Sequence, residues 1–192
     1  MSEPRKQRSG RLQLVLVAAV FLGPLLFAAW LYFQGDSWQP SRRTNHGALL
    51  RPIVSIRDEL PGSPLHAHNA DSWVLLYTHD GPCGEACRDA LYVSRQSRLM
   101  LGKEMERLKR VFLHGASVPD TVFFGGEHPD LITTEDSSLN GLLDNKRPTD
   151  FPAGGYFLID PFGNLVMYFR PDLDPADMVA DIKHLLRLSR IG

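Results

Sequence analysis

Trp73-Val-Leu-Leu-Tyr-Thr-His-Asp-Gly-Pro-Cys83-Gly-Glu-Ala-Cys87 joins an apolar run, a polar loop and a cysteine pair, the only two cysteines in the chain. A short, continuous apolar run bounded by turn residues reads as a buried central strand. From Glu85 the period changes. Ala86, Ala90, Val93, Ser97, Leu101, Met105 and Leu108 recur at spacings of three and four. That pattern predicts an amphipathic helix with those residues inward and Arg88, Arg95, Arg98 and Lys109 outward, Gly102 marking a bend. Cys83 and Cys87 therefore sit on a strand-to-helix turn, where a helix N-terminus favours thiolates. Two close thiolates cycle through a disulfide or hold a soft metal ion. The bland alternative is an inert bridge, and one closing so short a loop stabilises little.

Downstream, Arg110-Val-Phe-Leu113 reads as a second core strand, parallel to the first after a right-handed crossover. Thr121 to Phe124 reads as extended, Leu131 to Thr133 as a short strand, and Asp136 to Leu143 as a short helix capped by Asp136 or Ser137. Gly155-Tyr-Phe-Leu-Ile159 and Asn164-Leu-Val-Met-Tyr-Phe169 form an antiparallel pair across the turn Asp160-Pro-Phe-Gly163. Asp174 caps a last helix with Pro175 at its first position. Met178, Ile182, Leu185 and Ser189 are its inward residues. Upstream, Leu49 to Ile56 is an edge strand interrupted by Pro52. The order predicts an α/β fold of thioredoxin-like plan, a mixed sheet flanked by helices.

Leu12 to Phe33 is a stretch of 22 residues with Gln13 as its only strongly polar member. As a helix it spans ~33 Å, enough for a hydrocarbon core of ~30 Å. Gly23-Pro24 predicts a kink that a membrane helix tolerates. Arg5, Lys6, Arg8 and Arg11 precede it, against Glu3, and Trp30, Tyr32 and Trp38 follow. This asymmetry puts the N-terminus in the cytoplasm and the rest across the inner membrane, in the periplasm. A cleaved signal peptide is the competing reading, but the run is long for one and no small-x-small site follows. The expected organisation is a cytoplasmic tail 1–11, an anchor 12–33 in the bilayer, a linker 34–47 and a thioredoxin-like domain 48–192. The chain is formally −1, and residues 1–11 carry a net +3, which leaves −4 for the remainder. No basic stripe is present, so nucleic acid is excluded as a partner.

The segment Trp73 to Cys87, with its C-x3-C pair, resembles the Sco/SenC family of thioredoxin-like proteins. Tyr156-Phe-Leu-Ile-Asp-Pro-Phe-Gly-Asn-Leu-Val-Met-Tyr-Phe169 is similar to that family's closing hairpin, and the single anchor agrees. The resemblance runs over roughly residues 45–189. It implies a copper chaperone or thiol reductase for cytochrome c oxidase assembly, with copper as cargo. It also implies the copper-centre subunit of the oxidase, or its assembly factors, as partner. There is one departure. The family completes its copper site with a histidine shortly before the closing hairpin, and that position falls here near Pro152. No histidine lies between His128 and His184. The segment after the second core strand is also short, so the family's next helix is expected to be reduced or absent. Phe151-Pro152 instead suggests the cis proline that many thioredoxin-like folds set opposite their thiols.

Three functions stay open: oxidase assembly through copper delivery or thiol reduction, a thiol–disulfide reductase of another substrate, and a non-catalytic assembly factor with a structural disulfide. Cys83 is expected to be the more exposed cysteine and Cys87 to lie in the first helical turn. Both are expected on one accessible rim. His79 reads as a third metal ligand, as an imidazolium that activates Cys83, or as a plain loop histidine. His66 and His68 would point the same way on an extended segment. His114 reads as a polar strand end, and His128 and His184 as unspecialised. Glu85 supports the helix N-terminus. Asp150 and Asp160 belong to turns. Gly125-Gly126 and Gly154-Gly155 lack a phosphate-loop pattern.

Overall fold

The computed structural model describes residues 6–33, 45–117 and 120–189. The chain divides into two units, residues 1–43 and 44–192. The first contains helix α1, Lys6–Phe33, with Pro24 inside it. Its segment Gly10–Phe33 is long and apolar enough to cross a membrane. Residues 34–44, most of the expected linker, lie outside the described residues.

The second unit contains six strands: β1 Ala48–Ser55, β2 Trp73–His79, β3 Leu108–His114, β4 Leu131–Glu135, β5 Tyr156–Ile159 and β6 Asn164–Phe169. They form one sheet in the order β1-β6-β5-β2-β3-β4. β2, β3 and β4 run parallel, and the β5–β6 hairpin joins antiparallel to β2, with β1 at the far edge. The short helices α2, Ile56–Glu59, and α3, His66–Asn69, precede β2. The longer ones are α4, Glu85–Met100, α5, Thr121–Glu127, α6, Ser137–Lys146, and α7, Pro175–Leu188.

Alternation along the strands builds two cores, because successive side chains point to opposite faces. Leu75, Tyr77, Phe112, Leu158 and Phe169 pack under α4 and α7, against Leu91, Met178 and Ile182. Val74, Leu76, Val111, Phe157 and Ile159 pack on the other face, against Leu139 and Leu143 of α6. This is the mixed, helix-flanked thioredoxin-like sheet expected. No side chain fits at Gly155, where a Cβ would collide with the Phe169 carbonyl oxygen in the hairpin. Asp136 and Asp174 cap α6 and α7 by accepting from Leu139 N and Ala176 N.

Five local expectations change. The buried stripe of α4 is Cys87, Leu91, Ser94 and Ser97: Ser97 is inward as expected, while Cys87, Leu91 and Ser94, each one position on, take the centre from Ala86, Ala90 and Val93. Ser94 tolerates burial because its hydroxyl donates back to the Leu91 carbonyl at 2.8 Å. Gly102, at φ +64°, ends the helix rather than bending it; a 3-10 turn, Gly102–Arg107, follows, and Lys109 lies in β3. Thr121 to Phe124 is helical, not extended. Asp120 Oδ1 accepts from Val122 N and Phe123 N, both at 3.1 Å, and this cap overrides the strand preference of Val-Phe-Phe. His66 and His68 sit on α3, where positions two apart do not face each other. Among the described residues the cis X–Pro bond is Arg51–Pro52, so Phe151–Pro152 is trans.

Candidate active site

β2 carries the chain from the buried middle of the sheet to its rim. There Gly81, at φ +101°, and Pro82 turn it into α4. Pro82 O accepts from Gly84 N at 2.9 Å, and Gly84 is the N-cap of α4. No side chain caps this helix. Its free N–H groups and positive dipole end thus face the cysteine turn, which favours anionic sulfur.

Cys83 and Cys87 are joined in a disulfide with Cα atoms 5.1 Å apart. Their surroundings differ. Cys83 is half-buried, whereas Cys87, in the first turn of α4, is 1% exposed and packs in the core. The expected common rim therefore exists for Cys83 alone, because the rotation of α4 turns Cys87 inward. Burial pushes the Tyr77 and Tyr156 phenols up, so both remain neutral donors. Tyr156 donates to the Ala90 carbonyl at 2.9 Å, which ties α4 to β5 one turn beyond Cys87.

His79 ends β2. Its Nε2 lies 3.3 Å from Pro82 O, and its ring stacks on Tyr77 at 6.4 Å. In the parallel register its partner is His114, the last residue of β3. His114 Nδ1 lies 2.7 Å from Gly115 O, and Gly115 N donates to the His79 carbonyl at 3.2 Å. Asp80, the residue after β2, receives both its hydrogen bonds from Asn140 Nδ2 of α6, at 3.0 and 2.9 Å. His66 Nε2 is 2.7 Å from Leu60 O, and the His68 carbonyl accepts from Lys109 near the start of β3, at the end of the sheet opposite the cysteines. His184 is exposed on α7. Among the described residues no group of three His, Cys, Asp or Glu side chains is placed to hold a metal ion. The donors at the turn are thus two sulfurs without a third ligand, and they do not fit a three-ligand copper site.

Beside Cys83, on the β3 side, lies a cleft of about 430 Å³ lined by Pro82, Arg88, His114, Asp120 and Phe123 among others. The sequence alone does not mark these five as site residues. The signal for His114 was present: β3 runs parallel to β2, and ligands gather at the carboxyl ends of such strands. In the sequence Arg88 shows only an outward charge, and the places of Asp120 and Phe123 depend on a helix whose Val-Phe-Phe pattern favours strand.

A parallel–antiparallel sheet with a disulfide between its central strand and the following helix defines a thioredoxin-like protein. The comparisons are narrower. A family described as "Transmembrane-like, thioredoxin-like, C-terminal domain" matches residues 73–189, more than half of the chain, and the protein belongs to it. The companion "Transmembrane-like, N-terminal domain" matches residues 4–35, in agreement with a single-pass anchor at α1. Similar solved structures include Arabidopsis thaliana ScoI with copper bound, at TM-score 0.53 and 16% identity over 65% of this chain and 89% of that one. Yeast Sco1 with copper bound gives TM-score 0.51 and 16% identity over 65% and 81%. At such identity they share the fold. No curated protein matches in sequence.

Proposed function

We propose that the protein is a membrane-anchored thiol–disulfide reductant that serves cytochrome c oxidase assembly. Its target would be a disulfide in the copper-centre subunit, and its thioredoxin-like domain would stand in the periplasm. The placement rests on the cations before α1. The observation that carries the chemistry is the unequal burial of the two sulfurs over an uncapped helix N-terminus. In the dithiol form the Cys83 thiolate attacks one sulfur of the target disulfide, and the other target sulfur leaves with a proton. Cys87 then attacks the Cys83 sulfur of the mixed disulfide, and the second target thiol leaves with the Cys87 proton. Two electrons pass from Cys83 and Cys87 to the target, and the product is the disulfide seen here. A periplasmic dithiol donor must reduce it again.

A second reading, Cu(I) carried as cargo between the two thiolates, draws support from the copper in the Arabidopsis and yeast proteins. Anaerobic titration of the reduced chain separates the two: stoichiometric Cu(I) binding lost in Cys83→Ser and in Cys87→Ser favours cargo. The reductant is tested with the full chain in detergent and the oxidised copper-centre subunit. Wild type should yield the subunit's dithiol, Cys83→Ser should be inert, and Cys87→Ser should accumulate a mixed disulfide through Cys83. Wild-type turnover in Cys87→Ser sinks this reading.

A further inference from the structure

The cleft beside Cys83 has more built into it than access to a sulfur. Its volume of about 430 Å³ falls in the range of specific ligand pockets, ~300–1,000 Å³. Phe112, Phe123 and Phe124 give it an apolar floor. Phe112 and Phe124 stack with centroids 5.5 Å apart. Over this floor the Arg88 guanidinium lies 4.4 Å from the Phe123 ring centroid, a cation–π contact that fixes its position. Arg88 forms no ion pair among the described residues. The carboxylate in the cleft, Asp120, is committed through Oδ1 to two α5 amides. His114 has its Nδ1 engaged by Gly115 O. Arg88 is thus the cation of the cleft that no carboxylate of the described residues pairs, next to the positive end of the uncapped α4. At the rim, Pro82 is exposed.

We infer that this cleft is the docking site for the partner segment that Cys83 attacks, and that Arg88, held on Phe123, selects a segment with a carboxylate side chain beside its cysteine. The inference rests on the reductant reading above. The occupant is an acidic, partly apolar peptide segment of a protein, entering on the β3 side of the turn rather than on the side of Pro152. Arg88 reaches out from α4 one helical turn past Gly84, so a peptide cysteine at Cys83 sets its neighbour's carboxylate against the guanidinium.

The test separates binding from chemistry, using full-length protein in detergent. Two fluorescent peptides carry Ser in place of Cys and differ only in Glu or Lys at the following position. Anisotropy should show about tenfold tighter binding of the Glu peptide, the size of one charge-assisted contact. The preference should shrink with added salt, disappear in Arg88→Gln and survive in Arg88→Lys. Equal affinities in wild type, or an undiminished preference in Arg88→Gln, overturn the inference. The matching peptides with a disulfide-linked cysteine are then offered to the reduced protein. Reduction of both at one rate overturns the selectivity and leaves the reductant intact. Glu-selective binding without reduction of either peptide removes the reductant and keeps the docking site. Oxidised glutathione reduced as fast as the Glu peptide, with the same dependence on Arg88, overturns the assignment to a protein segment.

Discussion

Strand β3 ends in two unlike environments, sealed at its beginning and open at its end. Near the beginning, Arg110 is 1% exposed. Its guanidinium donates to Asp130 Oδ1 at 3.2 Å and to Ser94 Oγ at 3.4 Å. Arg98 closes the same carboxylate from outside, at 2.9 Å, and anchors to the Leu108 carbonyl at 2.8 Å. At the other end, His114 stands over a cleft with Cys83 and with Arg88, which no carboxylate of the described residues pairs. One cation is spent on holding α4 to the sheet, and the other is left for a ligand. A buried charge must find its partner within the fold, whereas an exposed one can wait for a partner to arrive.

The sealed end gives the largest effect on stability. Asp130→Ala leaves the Arg110 charge buried without its carboxylate. Removing one partner from a fully buried pair costs ~3–5 kcal/mol, and because Asp130 is 42% exposed the expected loss here is about 2–3 kcal/mol. Urea unfolding of the full chain in detergent reads it, while peptide affinity at the cleft should stay within twofold. A loss of affinity as large as the loss of stability would show that the two ends are one unit. The pH dependence has a definite sign. Burial works to raise the Asp130 carboxyl, but Arg110 and the hydrogen bonds around it outweigh burial and hold it below its ordinary value. The stabilisation is therefore complete above the unfolded carboxyl value of ~4 and is lost as pH falls through the lower folded value. Asp130→Asn should flatten that acid limb.

The open end gives a smaller, local effect. Asp120 is the side-chain cap of α5, a helix of seven residues containing Gly125 and Gly126. Asp120→Ala should cost ~1 kcal/mol, about a fivefold drop in hydrogen-exchange protection of the amides of 121–127. Binding of the acidic peptide should weaken with it, because Phe123 and the Arg88 resting on it lose their footing. Unchanged exchange at α5 would mean that packing of Phe124 in the core, not the cap, holds this wall.

The same contrast separates what the sequence disclosed from what it hid. The strand Trp73 to Tyr77, the Asp160-Pro-Phe-Gly163 turn and the Asp174-Pro175 helix start are local signals, each written within a few residues, and each stands in the structure. The cysteine pair was equally plain. The segment between β3 and β4 was not, because Asp120 acts across two residues against three strand-formers. The inward face of α4 is only partly legible because Ser94 looks solvent-facing until its bond back to the Leu91 carbonyl is known, whereas Ser97 already reads as inward. Arg110 gave no sign of burial, since its acceptor, Asp130, is twenty residues away. His114 is legible as a site residue once the two core strands are read as parallel, which sets it beside His79, whereas Arg88 joins the site only through its contact with Phe123.

His128 joins the two ends and gives the smallest effect. It is 3% exposed, its Nδ1 has no hydrogen-bond partner, and its ring meets the edge of Phe123 at 5.3 Å. Burial first, and then the charges of Arg110 and Arg95, push its pKa down, against the opposing pull of Glu127 and Asp130. The unfolded chain therefore takes up the proton first as pH falls below ~6.5, and the fold loses stability from that pH down to the lower folded value. His128→Gln should remove this slope from the urea midpoint below about pH 6.5, while the steeper loss from Asp130 at lower pH persists. A slope that survives in the variant would assign the titration to another histidine and leave Phe123 as a wall with no link to the sealed network.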